Sequence, residues 1–480
     1  MTVEYEPVIG LEIHVQLSTR TKMFCGCELS FGDIQNTHTC AVCLGLPGAL
    51  PVVNARAVHY ALMIGLALDC EIADRSLFHR KNYFYPDLPK GYQISQYDVP
   101  ICGPGRLGDV RIHRAHLEED AAKLVHHGAS GRIHGADSSV VDFNRGGTPL
   151  VEIVTEPDVR SAEHAREWLT LLRTTLKALG VSDVDMSQGS LRCDANVSVR
   201  PVGTTALGTK TELKNMNSFR FVEQGINAEI ERQIGLLRAG EAVVQETLHF
   251  DVKSGRISSL RSKEEAHDYR YFPEPDLVPL VATEEMLAAA RGELPELPTA
   301  RAGRFEREHG LSAEKAWELA TRSERADYFE AALAADGADA VALANWISQL
   351  VERIGPDADP AGSNVTPAGL AALVAMVTAK EVNQNAARDV LTQLVEEGGD
   401  PREIVEREGL GAISGEDSGL AEVVAAALAA DPDAAAKVRE GNLRPIGALV
   451  GYVMRETKGR ADGGEVRRLI LEQVSGENSR

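Results

Sequence analysis

Hydrophobic and polar residues alternate along residues 8–17. Ile9, Leu11, Ile13, Val15 and Leu17 fall on one side of an extended chain, and Gly10, Glu12, His14 and Gln16 on the other. A period of two predicts a strand with one buried face. The alternation returns at residues 191–200, where Leu191, Cys193, Ala195, Val197 and Val199 oppose Arg192, Asp194, Asn196, Ser198 and Arg200. Between these segments the period becomes helical. Ser161 can cap a helix with the stripe Ala165, Trp168, Leu169, Leu172, Leu176 and Leu179, stopped at Gly180. A second helix is predicted from Ser218 to about Leu237. Residues 150–154 form a short apolar run interrupted by Glu152. Strands and helices in this mixed order predict an α+β domain.

The pattern changes near Glu293-Leu294-Pro295-Glu296-Leu297-Pro298. Downstream, Ala, Leu and Glu dominate with helical spacing, and Thr366-Pro367 and Gly398-Gly399-Asp400-Pro401 punctuate the helices. The expected organisation is a mixed α/β domain at 1–293, an all-helical domain at 294–405 and a small helical tail at 406–480. Composition narrows the class. With 44% hydrophobic and 25% charged residues the 480-residue chain is globular. No apolar run is long enough to span a membrane, and the N-terminal acids Glu4 and Glu6 do not suit a leader, so a cytoplasmic protein is expected. A net charge of −21 argues against indiscriminate nucleic-acid binding. Yet residues 436–470 carry eight Lys/Arg and four Asp/Glu. A basic end on an acidic chain reads either as a solvated helical face or as a local anion-binding patch.

Four of the seven cysteines form Cys25-x-Cys27 and Cys40-x-x-Cys43. Two close pairs can complete a thiolate tetrahedron around structural zinc, the alternative being cysteines packed as small hydrophobes. Glu12 and His14 share a strand face, Glu118-Glu119-Asp120 places three acids in a row, and Asp194 lies between Arg192 and Asn196. A lone Glu152 in an apolar strand is costly unless paired or bound to a cation. Oxygen ligands with one imidazole suit Mg²⁺ or Mn²⁺, although each acid singly reads as an ion-pair partner. Gly103-Pro104-Gly105-Arg106-Leu107-Gly108 matches a dinucleotide fingerprint but precedes a strand-like run where a helix is required. Gly203 to Thr211 resembles a displaced P-loop, and a hairpin explains it better. Aromatics concentrate in Lys81-Asn82-Tyr83-Phe84-Tyr85-Pro86-Asp87 and in Asp268-Tyr269-Arg270-Tyr271-Phe272-Pro273. Lys81 and Lys90 can neutralise phosphate there.

Seven ordered motifs carry a family resemblance: Val8-Ile9-Gly10-Leu11-Glu12-Ile13-His14, Lys81 to Asp87, Tyr92-Gln93-Ile94-Ser95-Gln96, Leu117 to Asp120, Asn144-Arg145-Gly146-Gly147-Thr148-Pro149-Leu150, Ser190 to Asn196, and Glu212-Leu213-Lys214-Asn215. Together they resemble the B-subunit family of the bacterial aspartyl/glutamyl-tRNA(Asn/Gln) amidotransferases along the whole chain. The resemblance implies a cradle-shaped catalytic domain, a helical domain and a tail that grips tRNA. It implies ATP-dependent phosphorylation of the side-chain carboxylate of Glu or Asp misacylated onto tRNA. Ammonia from a glutaminase A subunit, held in place by a small C subunit, then completes the amide. It assigns Mg²⁺ to Glu12, His14, Glu119, Glu152 and Asp194, and places Lys81, Tyr83 and Lys90 around the phosphate and ammonia path. Ser190 and Arg192 become phosphate contacts. Lys437, Arg439, Arg444, Arg455, Lys458, Arg460, Arg467 and Arg468 become tRNA contacts. A rival reading is a non-catalytic tRNA-binding scaffold of the same kind of complex.

Overall fold

The alternation at residues 8–17 is realised as β1 (Tyr5–Gln16), the strand around which the first half of the chain is built. The structure, a computed structural model, describes residues 3–127, 136–252, 254–262, 266–336, 339–355, 358–411, 419–457 and 460–476. The chain divides into two units, Met1–Pro298 and Thr299–Arg480.

In the first unit, β1 is followed by helix α1 (Ala55–Ala67), β2 (His79–Asn82), β3 (Tyr92–Ser95), β4 (Gly105–Leu107), β5 (Val110–Glu119) and β6 (Pro149–Thr155). Then come helix α2 (Ala162–Ala178), β7 (Leu191–Pro201), β8 (Thr211–Met216), helix α3 (Phe219–Arg238), β9 (Glu246–Asp251), β10 (Arg256–Ser262) and β11 (Phe272–Pro273). The main sheet runs β10-β9-β8-β7-β1-β6-β5-β4, and β11-β2-β3 forms a small second sheet. Neighbours in the main sheet are antiparallel except β8 and β9, which are parallel and joined by α3.

One face of the sheet is apolar and carries the helices. Ile9, Leu11, Ile13 and Val15 pack in one core with Trp168, Leu169, Leu172 and Leu176 of α2 and Val222 and Ile226 of α3. Both predicted caps are formed: Ser161 accepts from the His164 amide and Ser218 from the Phe221 amide. The Glu12–His14 face of β1 is the one turned away from these helices: it is part-exposed around Glu12, His14, Arg192 and Asp194 and buried around His116, Glu118 and Glu152. The two glycine-rich motifs are turns of this sheet. Gly103 to Gly108 enters the β4–β5 hairpin, and residues 203–210 link β7 to β8. The small sheet is tied to the 272–276 segment by Arg80, whose guanidinium makes two bonds to the Glu274 carboxylate at 2.7 and 2.8 Å.

The second unit is helical. One apolar cluster gathers Phe305, Leu319, Phe329, Ile347, Leu350 and Leu391, and a separate one Leu420, Val424, Leu449, Val453, Val466 and Ile470. Thr366 caps the helix Pro367–Thr378 with proline in its first turn.

Behind the sheet, the fully buried Glu229 of α3 accepts from Thr211 Oγ1 at 2.7 Å, Gln233 Nε2 at 2.8 Å and Arg232 Nε at 2.7 Å. Glu229→Ala removes the acceptor these three donors share, leaving Thr211 and Gln233 the Val197 carbonyl and Arg232 the more distant Glu246, and is expected to cost about 2–4 kcal/mol. A lower midpoint of urea unfolding checks this, and an unchanged midpoint would contradict it.

Candidate functional site

The registers of β1 bring the acids together. Glu12 faces Asp194 on β7, while His14 faces Arg192 on β7 and Glu152 on β6. Glu152 in turn faces His116 on β5. Residues of the same phase share one face, so Glu12, His14, His116, Glu118, Glu152 and Asp194 converge there, the β5 and β6 members buried and the β1 and β7 members part-exposed. His14 Nε2 stands 3.5 Å from both Glu118 Oε1 and Glu152 Oε2, and His116 Nε2 is 3.4 Å from Glu152 Oε2. Lys214 of β8 reaches across, with Nζ 2.5 Å from Asp194 Oδ2 and 3.4 Å from Glu212 Oε1. One ligand atom from each of Glu12, His14 and Asp194 lies within 4.8 Å of the others, and the same holds for His14, Glu118 and Glu152.

Crowded like charges set the titration. Burial and then the Glu152 carboxylate raise Glu12 above the usual carboxylate range. Glu152 is held well below that range, because the charges and hydrogen bonds of His116 and His14 outweigh its burial. Burial opposes the charge on His14, but Glu152, Glu118 and Glu12 bring it up to about 9. Lys214 is likewise raised despite burial, chiefly by Asp194. Two carboxylates and an imidazole in each of two adjoining triads, with His14 in both, are a donor set for a hard divalent cation. A cation there would relieve the repulsion that keeps Glu12 from ionising freely.

Lys81, on β2, is half-buried. Burial resists its charge, while Tyr271, Glu118 and Glu152 raise its pKa well above the ordinary lysine value. Its Nζ lies 4.8 Å from the centre of the Tyr269 ring, a cation–π contact. Tyr83 stands edge-on to Tyr269 at 5.8 Å, and Tyr97 stacks on Tyr271 at 4.4 Å. Burial pushes the Tyr271 hydroxyl up to about 12 and raises Tyr83 as well. The aromatic run 268–273 thus forms a box around Lys81.

Other expected residues lie elsewhere. Glu119 is not on the acidic face. It alternates with Glu118, pairs with Lys90 and accepts the Ile94 amide at 2.9 Å. With Lys22, Cys25, Cys43, Gly45 and other residues, that pair lines a cavity of about 120 Å³. Glu118 occupies the position expected of Glu119. Ser190 stands in the turn before β7, where its hydroxyl is within hydrogen-bond reach of Asp183 and the Asp185 carbonyl and accepts from the Asp185 amide at 3.0 Å. Arg192 does reach the acidic face, where it bonds Asp120 Oδ2 at 3.0 Å and its buried Nε has no hydrogen-bond partner among the described residues. Sequence reading missed Lys214, His116 and Glu118 as site residues. Lys214 and Glu118 lay inside quoted motifs, but only strand register reveals their approach.

The four Sγ atoms of Cys25, Cys27, Cys40 and Cys43 lie within 4.8 Å of one another and could hold a metal ion. The hydrogen bond from Cys25 leads in bringing Cys43 down to about 4, and burial leads in bringing Cys27 up to about 11. Gly45, at φ +66°, packs against Lys90, and a Cβ there would collide with the Lys90 side chain.

In the second unit, Lys437, Arg439, Arg444, Arg455, Arg467 and Arg468 are exposed. Arg468 pairs with Glu472 at 2.7 Å. Arg460 is half-buried and donates to the carbonyls of Thr457 and Gly409 at 3.1 and 3.3 Å. Its guanidinium is therefore engaged within the chain. Lys458 lies outside the described residues. Among the described residues no helix is long and apolar enough to cross a membrane.

Comparison with known proteins completes the picture. Residues 7–288 match the GatB/GatE catalytic domain, and residues 327–474 the GatB domain. The chain belongs to the GatB/GatE family. Its relatives include a Frankia casuarinae protein named as the B subunit of an aspartyl/glutamyl-tRNA(Asn/Gln) amidotransferase, 52% identical over 98% of this chain and 96% of the relative. Proteins of the same name from Anaeromyxobacter dehalogenans and Thermobifida fusca are 49% and 48% identical, each over 98% of this chain and over 99% and 94% of their own lengths. The family match over residues 7–288 spans β1, β5, β6 and β7, so the acidic face lies wholly inside the catalytic-domain region.

The titration of His14 gives a test. Its folded pKa is raised from 6.5 to about 9, so its contribution to stability is fully present below pH 6.5 and is lost as pH rises through about 9. In metal-free buffer, the melting-temperature advantage of the wild type over His14→Gln is expected to shrink across that window. A constant difference would refute the assignment.

Proposed function

We infer that the acidic face is where the side-chain carboxylate of Glu-tRNA(Gln), Asp-tRNA(Asn) or both is activated with ATP and then amidated. The observation that supports this most is the convergence of Glu12, His14, Glu118, Glu152 and Asp194 on one face of the main sheet, with Lys214 on the neighbouring strand and Lys81 facing Glu118 and Glu152 from the small sheet. A carboxylate is a poor electrophile. Its oxygen attacks the γ-phosphorus, ADP departs, and the resulting acyl phosphate offers phosphate as a leaving group to ammonia. Such a transfer needs positioning and charge neutralisation more than covalent help from the protein. Glu12, His14, Glu118, Glu152 and Asp194 would hold Mg²⁺, which supplies neutralisation of phosphate charge. Lys81, Lys214 and Arg192 border this face as cations for the phosphoryl oxygens and the substrate carboxylate, and Tyr83 belongs to the aromatic wall around Lys81.

Ammonia would come from a glutaminase partner, the A subunit, with a small C subunit completing a cytoplasmic heterotrimer. The Lys90–Glu119 pair is a candidate element of its path. The four cysteines would hold structural zinc, a closed site without an open position for chemistry. The cradle-like catalytic domain is placed at 1–293, the helical domain at 294–405 and a tRNA-binding tail at 406–480.

Two outcomes test the reading. In the assembled complex, Glu12→Gln and Asp194→Asn are expected to lower ATP hydrolysis that depends on misacylated tRNA by about a hundredfold. The partner's tRNA-independent glutaminase should stay intact, and full ATPase activity in both variants would overturn the assignment. For the tail, joint replacement of Lys437, Arg444 and Arg455 by Ala is expected to raise KM for charged tRNA by about tenfold and to flatten its salt dependence. An unchanged KM would remove these residues from the tRNA contact.

A further inference from the structure

The four cysteines pose a charge problem that their own loop does not solve. Four thiolates around one divalent ion leave a net negative site, and a part-buried anion needs a cation or several N–H donors close by. Lys90 shares a cavity with Cys25 and Cys43, but it is already paired with Glu119. Lys22 is different. It is 1% exposed, a burial that lysine rarely reaches unless it is paired. Its Nζ donates to the Phe143 carbonyl at 3.0 Å, and among the described residues no carboxylate forms an ion pair with it.

The Lys22 side chain runs beside the cysteines. With Cys25 and Cys43 it lines the cavity of about 120 Å³, and with Cys25 and Cys40 a wider one of about 530 Å³. A Cβ on Gly147 would stand 3.3 Å from Lys22 Cδ and 3.8 Å from Cys43 Cβ, so both side chains rest against the same bare glycine. The positive charge of Lys22 is felt at Cys43. A buried ammonium with one carbonyl partner is costly alone, and so is an excess of thiolate charge. Side by side, the two costs offset each other.

The same residue joins the cysteine loop to the catalytic sheet. The Lys22 amide donates to the Cys27 carbonyl at 3.0 Å, and the Met23 amide to the Gly147 carbonyl at 2.7 Å. From between the two cysteine pairs, Asn36 Oδ1 accepts the Phe143 amide at 2.7 Å, and the His38 amide donates to Asn144 Oδ1 at 2.9 Å. Residues 143–147 are thus held by the cysteine loop on one side and by Lys22 on the other. They lead directly into β6, which carries Glu152.

We propose that Lys22 is the counter-charge of the four-cysteine metal site and ties that site, through the Phe143 carbonyl, to the segment entering β6. The proposal rests on the reading of the cysteines as a zinc site and adds the residue that balances its charge.

The test uses the assembled complex and Lys22→Met, which keeps a long apolar side chain and removes the charge. Competition with a chromogenic chelator gives Kd for zinc, and amide hydrogen exchange follows residues 143–148 with and without zinc. Lys22→Met is expected to raise Kd for zinc by about tenfold or more. Zinc removal is expected to speed exchange at 143–148 in the wild type. Without metal, Lys22→Met should exchange there no faster than the wild type, because it buries no unpaired charge. An unchanged Kd for zinc would overturn the proposal. So would faster exchange in the metal-free variant, which would make Lys22 a packing residue. A wild type that binds no zinc fails differently: it would refute the metal site itself, and the counter-charge with it.

Discussion

The site depends on one geometric constraint, the twofold alternation of a strand held between two antiparallel neighbours. β1 is bonded to β6 on one side and β7 on the other, and the two registers decide which side chains meet. A slip of one residue in either pairing would send Glu152 or Asp194 into the apolar layer under α2 and α3 and bring an aliphatic residue to the face. The hydrophobic requirement that Ile9, Leu11, Ile13 and Val15 be covered is therefore also what aligns the carboxylates. Packing and chemistry are fixed by the same backbone hydrogen bonds.

The electrostatics follow from that alignment. Acids brought together by a rigid ladder cannot separate, so the strain of their repulsion is taken up in protonation and in recruited cations. Glu152 ionises readily because two imidazoles attend it, and Glu12 does so reluctantly because Glu152 is close and solvent is not. Lys81 and Lys214 approach from opposite sides, one from the small sheet and one from β8. The result is a balanced but tense array of opposed charges held in place by the strands.

The sequence made the local part of this legible. Alternation located β1 and β7, the Ser161 cap and helical spacing located α2 and the start of α3, and a lone acid in an apolar run marked Glu152 as paired or cation-bound. It could not choose between Glu118 and Glu119, since three consecutive acids give no phase, and the choice is made by the pairing of β5 with β6. It could not see Lys214 beside Asp194, because that contact depends on how β8 returns to β7 after a turn. Ser190 looked available as a hydroxyl next to a functional strand, and only the turn geometry shows it engaged with Asp183 and Asp185. Similarly, Arg460 was one cation among many until its carbonyl partners placed it inside the fold.

The pairing of β1 also has a consequence for how the protein is made. Its two neighbours lie near residues 150 and 195, so β1 has no partner until about half of the first unit has followed it and no second one until about two thirds has. At roughly 5–20 residues per second this leaves an aliphatic strand with two open edges waiting for about ten to forty seconds. Closure over such separations is slow, so the edges of β1 stay available for pairing with other chains during that interval.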